Sequence, residues 1–517
     1  MASDVNVRQR HILRNTAMVM AFFAMAAVAG LLRNIVIARQ FGIGSDLDAY
    51  YAAFKLPDLL FTIVAGGALA TAFIPVFARF LAADDLSGAW RLAAAITNLV
   101  VLVTSALAVA AALFAPALVR YVLAPGFDGA QQAETAGLMR LVLISIPIFG
   151  ISAVQSSVLH SFKHFLLPAL APVVYPIGIM CGALWLAPHW GVRGLAFGAV
   201  IGALLHLVVK IPGLLHYGFR WWPVLDLRTE AVRRVLYLMG PRILDLGVFH
   251  LTLIATTNLA SRLEPGSVSA LEWGWDAMQL PETIIGTAFG LVAFPTLSEL
   301  AARGDRHGLR STLGETLRTV IALAVPAAVG LILLGRPVLE LLYQRGAFDA
   351  SATTAVYQAL AFFALGLVGH VCLELAARTF FAQEDTVTPL LVATGSAVTN
   401  VLLGIILMRP LGHGGLALAN SIAVSLEVVA LLLILRQRLG GVEGRQSLRA
   451  LGQVLLASVM MGIVVAITLR CAQGAQMSTL VTVVLAGGCG VVTYALSGWL
   501  LRIEALSGLP RLLLSRR

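Results

Sequence analysis

Charged residues are scarce in this sequence. Asp, Glu, Lys and Arg together make up 12% of its 517 residues, whereas 59% are hydrophobic. Soluble domains carry roughly 25% charged residues, because polar groups must cover their surfaces. A disordered chain is excluded by the opposite argument, since such chains contain few apolar residues. An integral membrane protein is the class that remains.

Cysteine is also rare, and the short motifs of several enzyme classes are missing. Cys181, Cys372, Cys471 and Cys489 lie in or beside apolar segments without C-x-x-C spacing, which argues against a disulfide framework and a zinc site. The sequence has no Walker A loop, no GxSxG elbow and no HExxH motif. We therefore predict a protein that is not an enzyme, has no bound cofactor and takes no energy from ATP.

Long apolar segments fill the chain instead. A membrane helix needs about 20 apolar residues, and the segments predict about fourteen such helices joined by short loops. The predicted fold class is an all-α polytopic membrane protein with both termini on one side. The predicted spans are 16–38, 47–77, 90–113, 133–159, 166–187, 191–215, 232–260, 268–297, 312–335, 352–378, 387–408, 413–436, 449–470 and 477–501.

Basic residues are distributed unevenly among the loops. Most of the 36 lysines and arginines fall in alternate loops, of which Arg233, Arg310 and Arg436 are examples. The positive-inside rule assigns these loops and both termini to the cytoplasm. The net charge of +10 is explained in this way without a nucleic-acid partner, and we predict that the protein binds none.

The sequence contains an internal repeat. Gly126-Phe127-Asp128 matches Ala347-Phe348-Asp349, and Gly191-Val192-Arg193-Gly194 matches Gly412-His413-Gly414-Gly415, both at a spacing of 221 (349 minus 128). Lys55-Leu56-Pro57-Asp58 likewise matches Gln279-Leu280-Pro281-Glu282. An even number of helices returns each copy to its starting side. We therefore predict two parallel six-helix lobes related by a pseudo-twofold axis along the membrane normal.

The repeat also predicts the domain organisation. The N-terminal lobe is predicted at 1–218, the C-terminal lobe at 219–440, and two additional helices at 441–517. Two parallel lobes are typical of a transporter that alternates between inward and outward openings. Duplication for a scaffold alone is the alternative.

Helix 2 carries polar residues on one face. Asp48, Tyr51, Lys55 and Asp58 follow at steps of three and four residues, which align on a helix. An ionised group at the middle of a bilayer costs about 2.5–3.5 kcal/mol even on the more lenient scale. These side chains therefore predict a water-filled cavity that binds the substrate.

Helix 8 repeats this polar face. Glu272, Asp276 and Gln279 are spaced in the same way, and the repeat aligns Glu272 with Asp48 of helix 2. Pro57 and Pro281 lie within the two polar faces. Because proline removes a backbone hydrogen bond and can kink a helix, we predict that both are hinges.

Further polar residues extend the predicted binding set on helices 1 and 7: Arg33, Asn34, Arg39 and Arg242. Arg39 and Arg242 lie near helix ends, where long side chains can instead reach the membrane surface. On helix 10, Glu374 is a further acid that can pair with Arg378, and His370 lies nearby.

The signs of these charges differ between the two halves. Cations concentrate in the first half and acids in the second. This distribution favours an anion bound by the first lobe and a coupling cation, sodium or proton, bound by the second. Direct binding of a cationic substrate by the acids is the alternative.

Several motifs together resemble the MurJ/MviN family, a branch of the multidrug/oligosaccharidyl-lipid/polysaccharide exporter superfamily. The resemblance covers nearly the whole chain. It implies a V-shaped pair of lobes in the bacterial inner membrane that flip lipid II, the undecaprenyl-pyrophosphate-linked peptidoglycan precursor, to the outer leaflet. It also implies that helices 13 and 14 form a groove for the lipid tail. The motifs are 33–42 (RNIVIARQFG), 48–60 (DAYYAAFKLPDLL), 72–75, 124–127, 239–241, 266–269 and 412–417.

Roles for three residues are implied by this resemblance. Arg33 matches the family's helix 1 arginine, which is expected to attract the pyrophosphate. Asp48 matches the acid at the start of helix 2, and Lys55 matches the lysine of the K-L-P motif. Some family members bind sodium in the second lobe, and Asp245, Asn400 and Asn420 are the predicted ligands here.

The sequence also departs from the family pattern. Ala27, Phe61 and Asp276 stand where the family has arginines, and Asn34 replaces an acid that is common beside the helix 1 arginine. Fewer cations weaken the case for a pyrophosphate headgroup. Another lipid-linked glycan therefore stays open as the substrate.

The predicted function is the flipping of a lipid-linked glycan from the inner to the outer leaflet, with lipid II as the first candidate. Alternating access driven by membrane potential or an ion gradient is the predicted mechanism. The predicted partners are this substrate and membrane lipids, and we expect a monomer. The alternatives are a cation-coupled exporter of drugs or of another polysaccharide-lipid, and a membrane scaffold that does not transport.

Overall fold

The structure is a computed structural model that describes residues 2–65, 67–441 and 443–503. Within these ranges the side chains of 2–20, 23, 64–65, 67–68, 240–246 and 445 are not described. Every regular element in the described ranges is a helix. The all-α class predicted from the sequence is therefore confirmed.

The helices of the first half are α1 (Ala2–Phe41), α2 (Ser45–Ala65), α3 (Gly67–Ala82), α4 (Leu86–Leu113), α5 (Ala115–Leu118), α6 (Gly129–Leu143), α7 (Ser145–Ser161), α8 (Leu166–Cys181), α9 (Ala187–Trp190), α10 (Val192–Val208), α11 (Ile211–His216) and α12 (Glu230–Ala260). Those of the second half are α13 (Ser267–Glu282), α14 (Ala288–Ala302), α15 (Arg306–Tyr343), α16 (Ala350–Ala382), α17 (Val387–Leu411), α18 (His413–Leu439), α19 (Gly444–Gly474) and α20 (Thr479–Leu500). Short π-helical segments follow α5, α8 and α13 at Val119–Leu123, Gly182–Leu186 and Thr283–Thr287.

Single long helices, or consecutive shorter helices taken together, reach the length of a membrane span. Twelve segments of the described residues are long and apolar enough to cross a membrane. Two shorter apolar helices, Leu69–Ala82 and Gly247–Ala260, overlap the two remaining predicted spans, 47–77 and 232–260. The chain is therefore polytopic, and the number of fourteen crossings stays a prediction.

Aspartates cap helices at corresponding positions of the two sequence repeats. Asp85 caps α4 and Asp305 caps α15, while Asp128 caps α6 and Asp349 caps α16. In each case the carboxylate accepts a hydrogen bond of 2.8 Å from the backbone N–H three residues later. Such a bond satisfies one of the N–H groups that lack a partner within the helix.

Unusual backbone conformations also recur at the repeat spacing. Lys163 and Glu384 have φ of +59° and +61°, values that are uncommon for residues other than glycine. Gly191 and Gly412 both have φ +57°, with ψ of −142° and −139°, a region that essentially only glycine adopts. The repeated sequence motifs therefore have matching local structures.

The chain packs as two compact units. The first contains Met1–Pro265 and Arg345–Ala347, and the second contains Gly266–Gln344 and Phe348–Arg517. The first unit thus includes α12, which the sequence repeat assigns to the second lobe. The boundaries predicted from the repeat follow sequence similarity rather than packing, and they stay a prediction.

Aromatic side chains form much of the core of the first unit. Phe77 lies between Phe73 and Trp90, with ring centroids 5.2 Å and 5.9 Å away, and Phe162 packs on Trp90 at 5.6 Å. Such pairs add stability beyond the area that they bury. This core fixes α3 and α7 against α4.

Glycines bring α8 and α10 of the first unit into backbone contact. A methyl group at Gly178 would overlap the backbone of Gly202, and one at Gly182 would overlap that of Gly194 and Gly198. Close packing through small residues is a common way for membrane helices to associate, because the hydrophobic effect does not favour contact between helices in lipid.

In the second unit the last two helices pack against α15. Ala322 on α15, Val454 and Ala457 on α19, and Ala486 on α20 are all fully buried in one cluster. The hydroxyl of Tyr494 on α20 donates a hydrogen bond to the carbonyl of Ala322. The helices outside the sequence repeat are therefore integral to this unit.

Candidate functional site

The polar face of α2 is largely buried. Asp48 is 1% exposed and Lys55 is 8% exposed. Tyr51 is half-buried, Pro57 is buried and Asp58 is exposed. The structure therefore places the carboxylate of Asp48 and the ammonium of Lys55 inside the protein rather than on its outer surface. This position agrees with the predicted binding role of α2 and does not by itself establish it.

Asn34 orients the guanidinium of Arg33 on α1. The side-chain oxygen of Asn34 accepts hydrogen bonds from Arg33 Nε at 3.0 Å and Nη2 at 2.8 Å. Asn34 is 7% exposed and lies within the helix, so its position is well fixed. Because an amide oxygen is neutral, this fork leaves the positive charge of Arg33 in place. An acid at position 34 would neutralise it.

Electrostatic contacts connect these residues to other helices of the first unit. Arg33 and Asp58 both act on the hydroxyls of Tyr50 and Tyr175. Tyr175 lies on α8 and was not among the predicted site residues, because its sequence neighbours are apolar. The structure therefore brings polar groups of α1, α2 and α8 together.

Lys55 of α2 interacts electrostatically with a residue of α12. Its charge acts on His250, which lies about one turn into the apolar part of that helix. Arg242 and Asp245, also predicted on helix 7, fall among the residues whose side chains lie outside the described ones. Arg39, at the end of α1, is exposed, as a residue near a membrane surface would be.

The corresponding helix of the second unit is α13. Glu272 and Asp276 are half-buried there, whereas Gln279 is exposed. Pro281 lies one residue from the end of α13, and the π-helical segment Thr283–Thr287 follows at once. A missing proline N–H and a π-bulge both interrupt regular hydrogen bonding. The hinge roles of Pro57 and Pro281 stay predictions.

A charged cluster of the second unit lies beside this irregular segment. Arg378 on α16 donates to Glu374 Oε2 from Nε at 3.1 Å and from Nη2 at 2.9 Å, so the ion pair expected from the sequence is confirmed. Glu374 also acts electrostatically on Glu282 of α13. Glu282 thus adds a second carboxylate beside the Glu374–Arg378 pair, since a methyl group on Gly286 would lie 3.3 Å from Glu282 Oε1 and 3.6 Å from Glu374 Cγ.

His370 lies one turn before Glu374 on α16. Its Nε2 is 3.1 Å from Asn420 Oδ1 on α18, and its ring packs edge-on against Trp275 of α13 with centroids 5.2 Å apart. The α16 face with His370, Glu374 and Arg378 is therefore polar over two turns.

Two of the three predicted sodium ligands, Asn400 and Asn420, lie among the described side chains. Asn400 on α17 is 6% exposed, Asn420 contacts His370, and Asp245 lies outside the described side chains. Within the described part of the chain, no group of three or more His, Cys, Asp or Glu residues could hold a metal ion. The sodium site stays a prediction.

A fully buried lysine was missed by the sequence analysis. Lys210, just after α10, is 0% exposed, and its Nζ donates to the Ser152 carbonyl at 2.6 Å and to Ser156 Oγ at 2.9 Å on α7. The hydroxyl of Ser152 in turn lies 2.7 Å from Nδ1 of His206 on α10. The sequence signal that could have revealed Lys210 is a lysine inside the predicted span 191–215, close to Pro212.

Comparisons of this sequence with known proteins all indicate the same family. The family model described as lipid II flippase MurJ matches residues 37–485. A lipid II flippase MurJ from Burkholderia cenocepacia is 32% identical over 438 residues, which are 83% of this chain and 84% of that relative. A probable lipid II flippase MurJ from Rhizobium tropici is 32% identical over 446 residues, 84% of this chain and 83% of that relative.

Solved structures agree on the fold. A lipid II flippase MurJ in an inward closed conformation covers 93% of this chain and 98% of its own, with a TM-score of 0.78 and 23% identity. An inward-facing multidrug resistance MATE family transporter of the MOP superfamily covers 81% and 96%, with a TM-score of 0.68 and 16% identity. At these identities the likeness concerns the fold alone.

Proposed function

This chain belongs to the MurJ family of lipid II flippases, and from that membership we propose that it carries lipid II from the inner to the outer leaflet. It is a multi-pass membrane transporter and not an enzyme. Two observations in this molecule carry the proposal: the fork of Arg33 on Asn34 and the burial of Lys55 on α2. The bacterial inner membrane is its proposed location.

The chemistry of the headgroup matches these residues. A pyrophosphate presents several anionic oxygens, and a guanidinium binds such oxygens in pairs, whereas an ammonium acts as a point charge. Asn34 supports this recognition because it holds the guanidinium without cancelling its charge. We propose that Arg33 and Lys55 bind the pyrophosphate, with Tyr51 and Asp48 beside them.

Fewer cations are available to this protein than to most of its family. The family's helix 2 arginine is replaced by Phe61, whose ring packs against Phe149 with centroids 5.2 Å apart. Ala27 is exposed and Asp276 is half-buried, and neither is positively charged. The proposed site therefore depends more strongly on Arg33 than a site with the family's further arginines would.

Alternating access is the proposed mechanism. In this proposal fourteen helices cross the membrane, and two parallel six-helix lobes alternate between an inward opening and an outward opening. The last two helices, α19 and α20, accommodate the lipid tail. The predicted hinges, Pro57 and Pro281, supply bending points because each lacks a backbone hydrogen bond.

The second unit is the proposed site of energy coupling. Glu374 pairs with Arg378, and Glu282 adds a second carboxylate beside Glu374; two acids near one cation favour uptake of a further cation. His370 extends the polar face of α16. We propose that a proton or a sodium ion binds here and is released on the other side of the membrane.

Complementation tests the substrate. The wild-type chain should restore outer-leaflet lipid II in bacteria depleted of their own flippase. Arg33→Ala should abolish this rescue, and Arg33→Lys should retain part of it because the charge remains. Arg303→Ala is a matched control, since Arg303 forms an exposed ion pair with Glu299 outside the site. A wild-type chain that is inserted but gives no rescue would disprove the lipid II assignment.

Drug export is a second candidate. It is favoured by the aromatic and acidic surroundings of Trp275 on α13, where His370 and Phe363 pack against the indole. Cation-coupled efflux of amphipathic cations that requires Asp276 would support it. Absence of efflux by the inserted wild-type chain would exclude it.

A further inference from the structure

A loop of the first repeat contacts the end of α12. Gly126, in the loop that precedes α6, donates its backbone N–H to Ser261 Oγ at 3.2 Å. Asn258 Nδ2 on α12 donates to the carbonyl of Val122 at 2.7 Å. Ser261 directly follows α12 and is 3% exposed. We call Val122, Gly126, Asn258 and Ser261 the first latch.

A second loop makes the equivalent contact with α1. Ala347, in the loop that precedes α16, donates its backbone N–H to the carbonyl of Arg39 at 2.9 Å. Arg39 lies in the last turn of α1. We call Arg39, Gly346 and Ala347 the second latch. All residues of both latches belong to the first compact unit.

The two latches correspond through the sequence repeat. Gly126 and Ala347 are separated by 221 positions (347 minus 126), the spacing of the repeat. Helices α1 and α12 are the first helices of the two copies. Each copy therefore supplies the loop that binds the first helix of the other copy.

Glycine is needed for the close approach in both latches. A methyl group on Gly126 would overlap the carbonyl of Ser261 and the backbone of Arg262. A methyl group on Gly346, which has φ +65°, would overlap the carbonyl of Arg39. Even an alanine at either position must therefore separate the loop from the helix end.

We propose that the two latches form a releasable gate on the outer side of the membrane. The positive-inside rule assigns the arginine-rich loops to the cytoplasm. The latch loops lie on the opposite side of the membrane, which is the outside. The latches hold the outer ends of α1 and α12, the helices that carry Arg33 and His250. Both latches must open before the binding site is reached from outside. The proposal rests on the transport function proposed above.

The bonds in the latches suit repeated opening. All three hydrogen bonds join neutral groups, and such bonds are individually weak because water replaces them readily. A gate made of buried ion pairs would be costlier to open, since each charge would lose its partner. The reciprocal arrangement also couples the two helix ends, because each copy holds the other.

Thiol labelling tests the gate without a transport assay. In full-length protein whose four native cysteines are replaced, Tyr51→Cys reports access to α2 from a membrane-impermeant maleimide added outside intact cells. Gly126→Ala and Gly346→Ala should each speed labelling, and Ser261→Ala should do so by about fivefold, the factor for one neutral hydrogen bond. The combined variant should label faster than either single one.

Two glycines nearby provide matched controls. A methyl group on Gly129 or on Gly44 would have no atom within 4 Å, so Gly129→Ala and Gly44→Ala should label at the original rate. Thermal unfolding should show that every variant is folded. Labelling of Gly126→Ala, Gly346→Ala and Ser261→Ala at the control rate would overturn the proposal and leave the latches a purely structural role.

Cross-linking tests the requirement for opening. A short bis(methanethiosulfonate) reagent joins two thiols through disulfide bonds that can be reduced again. In protein that keeps Tyr51, such a link between Val122→Cys and Asn258→Cys, or between Arg39→Cys and Ala347→Cys, should stop lipid flipping until the link is reduced. Undiminished flipping with both links formed would refute the gate. A protein that labels as expected but never moves lipid II would instead refute the proposed function and leave the gate standing.

Discussion

Glu374 and Arg378 form a two-bonded ion pair along one face of α16, with both bonds ending on the same carboxylate oxygen. The guanidinium also packs over Gly290 of α14, where a methyl group would meet Arg378 Nε at 2.7 Å. Arg378 is thus held by two helices, and Glu374 is held next to Glu282. This arrangement maintains a carboxylate pair at a fixed place in the second unit.

Glu374→Gln should uncouple transport from the ion gradient while the protein stays folded. Glutamine keeps an acceptor for Arg378 but removes the negative charge that attracts a cation. The measurement is lipid flipping in proteoliposomes with imposed proton or sodium gradients. Glu340→Gln is the matched control, because Glu340 pairs with Arg336 at the same i,i+4 spacing. Equal loss in both variants, or full gradient dependence in Glu374→Gln, would contradict the coupling role.

Asn34→Asp should weaken binding of the pyrophosphate headgroup. An aspartate would accept the same bonds from Arg33 but would neutralise its charge, and an interaction of about 1 kcal/mol between close charges corresponds to roughly fivefold in affinity. Binding of undecaprenyl pyrophosphate to purified protein measures the effect. Adding Ala27→Arg, which restores a family cation, should recover affinity. Unchanged or tighter binding by Asn34→Asp alone would disagree with this account.

Ser156→Ala should destabilise the protein more than Lys210→Met does. Removing the Ser156 hydroxyl leaves a buried ammonium with one acceptor fewer, at a cost of about 1–3 kcal/mol. Removing the ammonium leaves the Ser152 carbonyl satisfied, because Ser156 Oγ donates to it at 3.0 Å. Thermal unfolding in detergent compares the two variants.

Ser157→Ala serves as the control for this comparison. The Ser157 hydroxyl bonds only to the carbonyl of Ala153 in its own helix, so its loss should cost less than that of Ser156. Combining Ser156→Ala with Lys210→Met should cost little more than Lys210→Met alone. Simple addition of the two effects would show that Ser156 does not act through the ammonium.

Asp385 should make stability depend on pH in the acid range. Burial raises the pKa of this loop carboxyl, but hydrogen bonds from Thr388 and from Arg438 outweigh burial and lower the pKa to about 2 from the ordinary 3.8. The folded state therefore gains stability from Asp385 above pH 3.8 and loses it as the pH falls toward about 2.

Asp385→Asn should lower the melting temperature at pH 7 and flatten its fall between about pH 4 and pH 2. Melting temperatures over this range, measured for the variant and the wild type, check the prediction. The adjacent exposed acid offers a control in Glu384→Gln, which should leave the curve unchanged. If Asp385→Asn had the same melting temperature as the wild type at every pH, the pair of Asp385 with Arg438 would contribute nothing to stability.

Sequence by itself determined the class of the protein, the positions of its helices and the repeat. These follow from local rules: a bilayer requires long apolar helices, and the spacing of three and four residues decides which side chains share a face. The Glu374–Arg378 pair could be predicted for the same reason. The family resemblance added the expected role of Arg33 in attracting the pyrophosphate.

Only the tertiary structure decided which of these faces meet. Lys210 and Ser152 are far apart in sequence, as are Ala347 and Arg39, and no periodic pattern relates the members of either pair. Their contacts depend on the rotation and depth of each helix against its neighbours, which are set by the packing of many side chains at once. The buried lysine, the position of Tyr175 within electrostatic range of Arg33 and the reciprocal loops therefore became visible only in three dimensions.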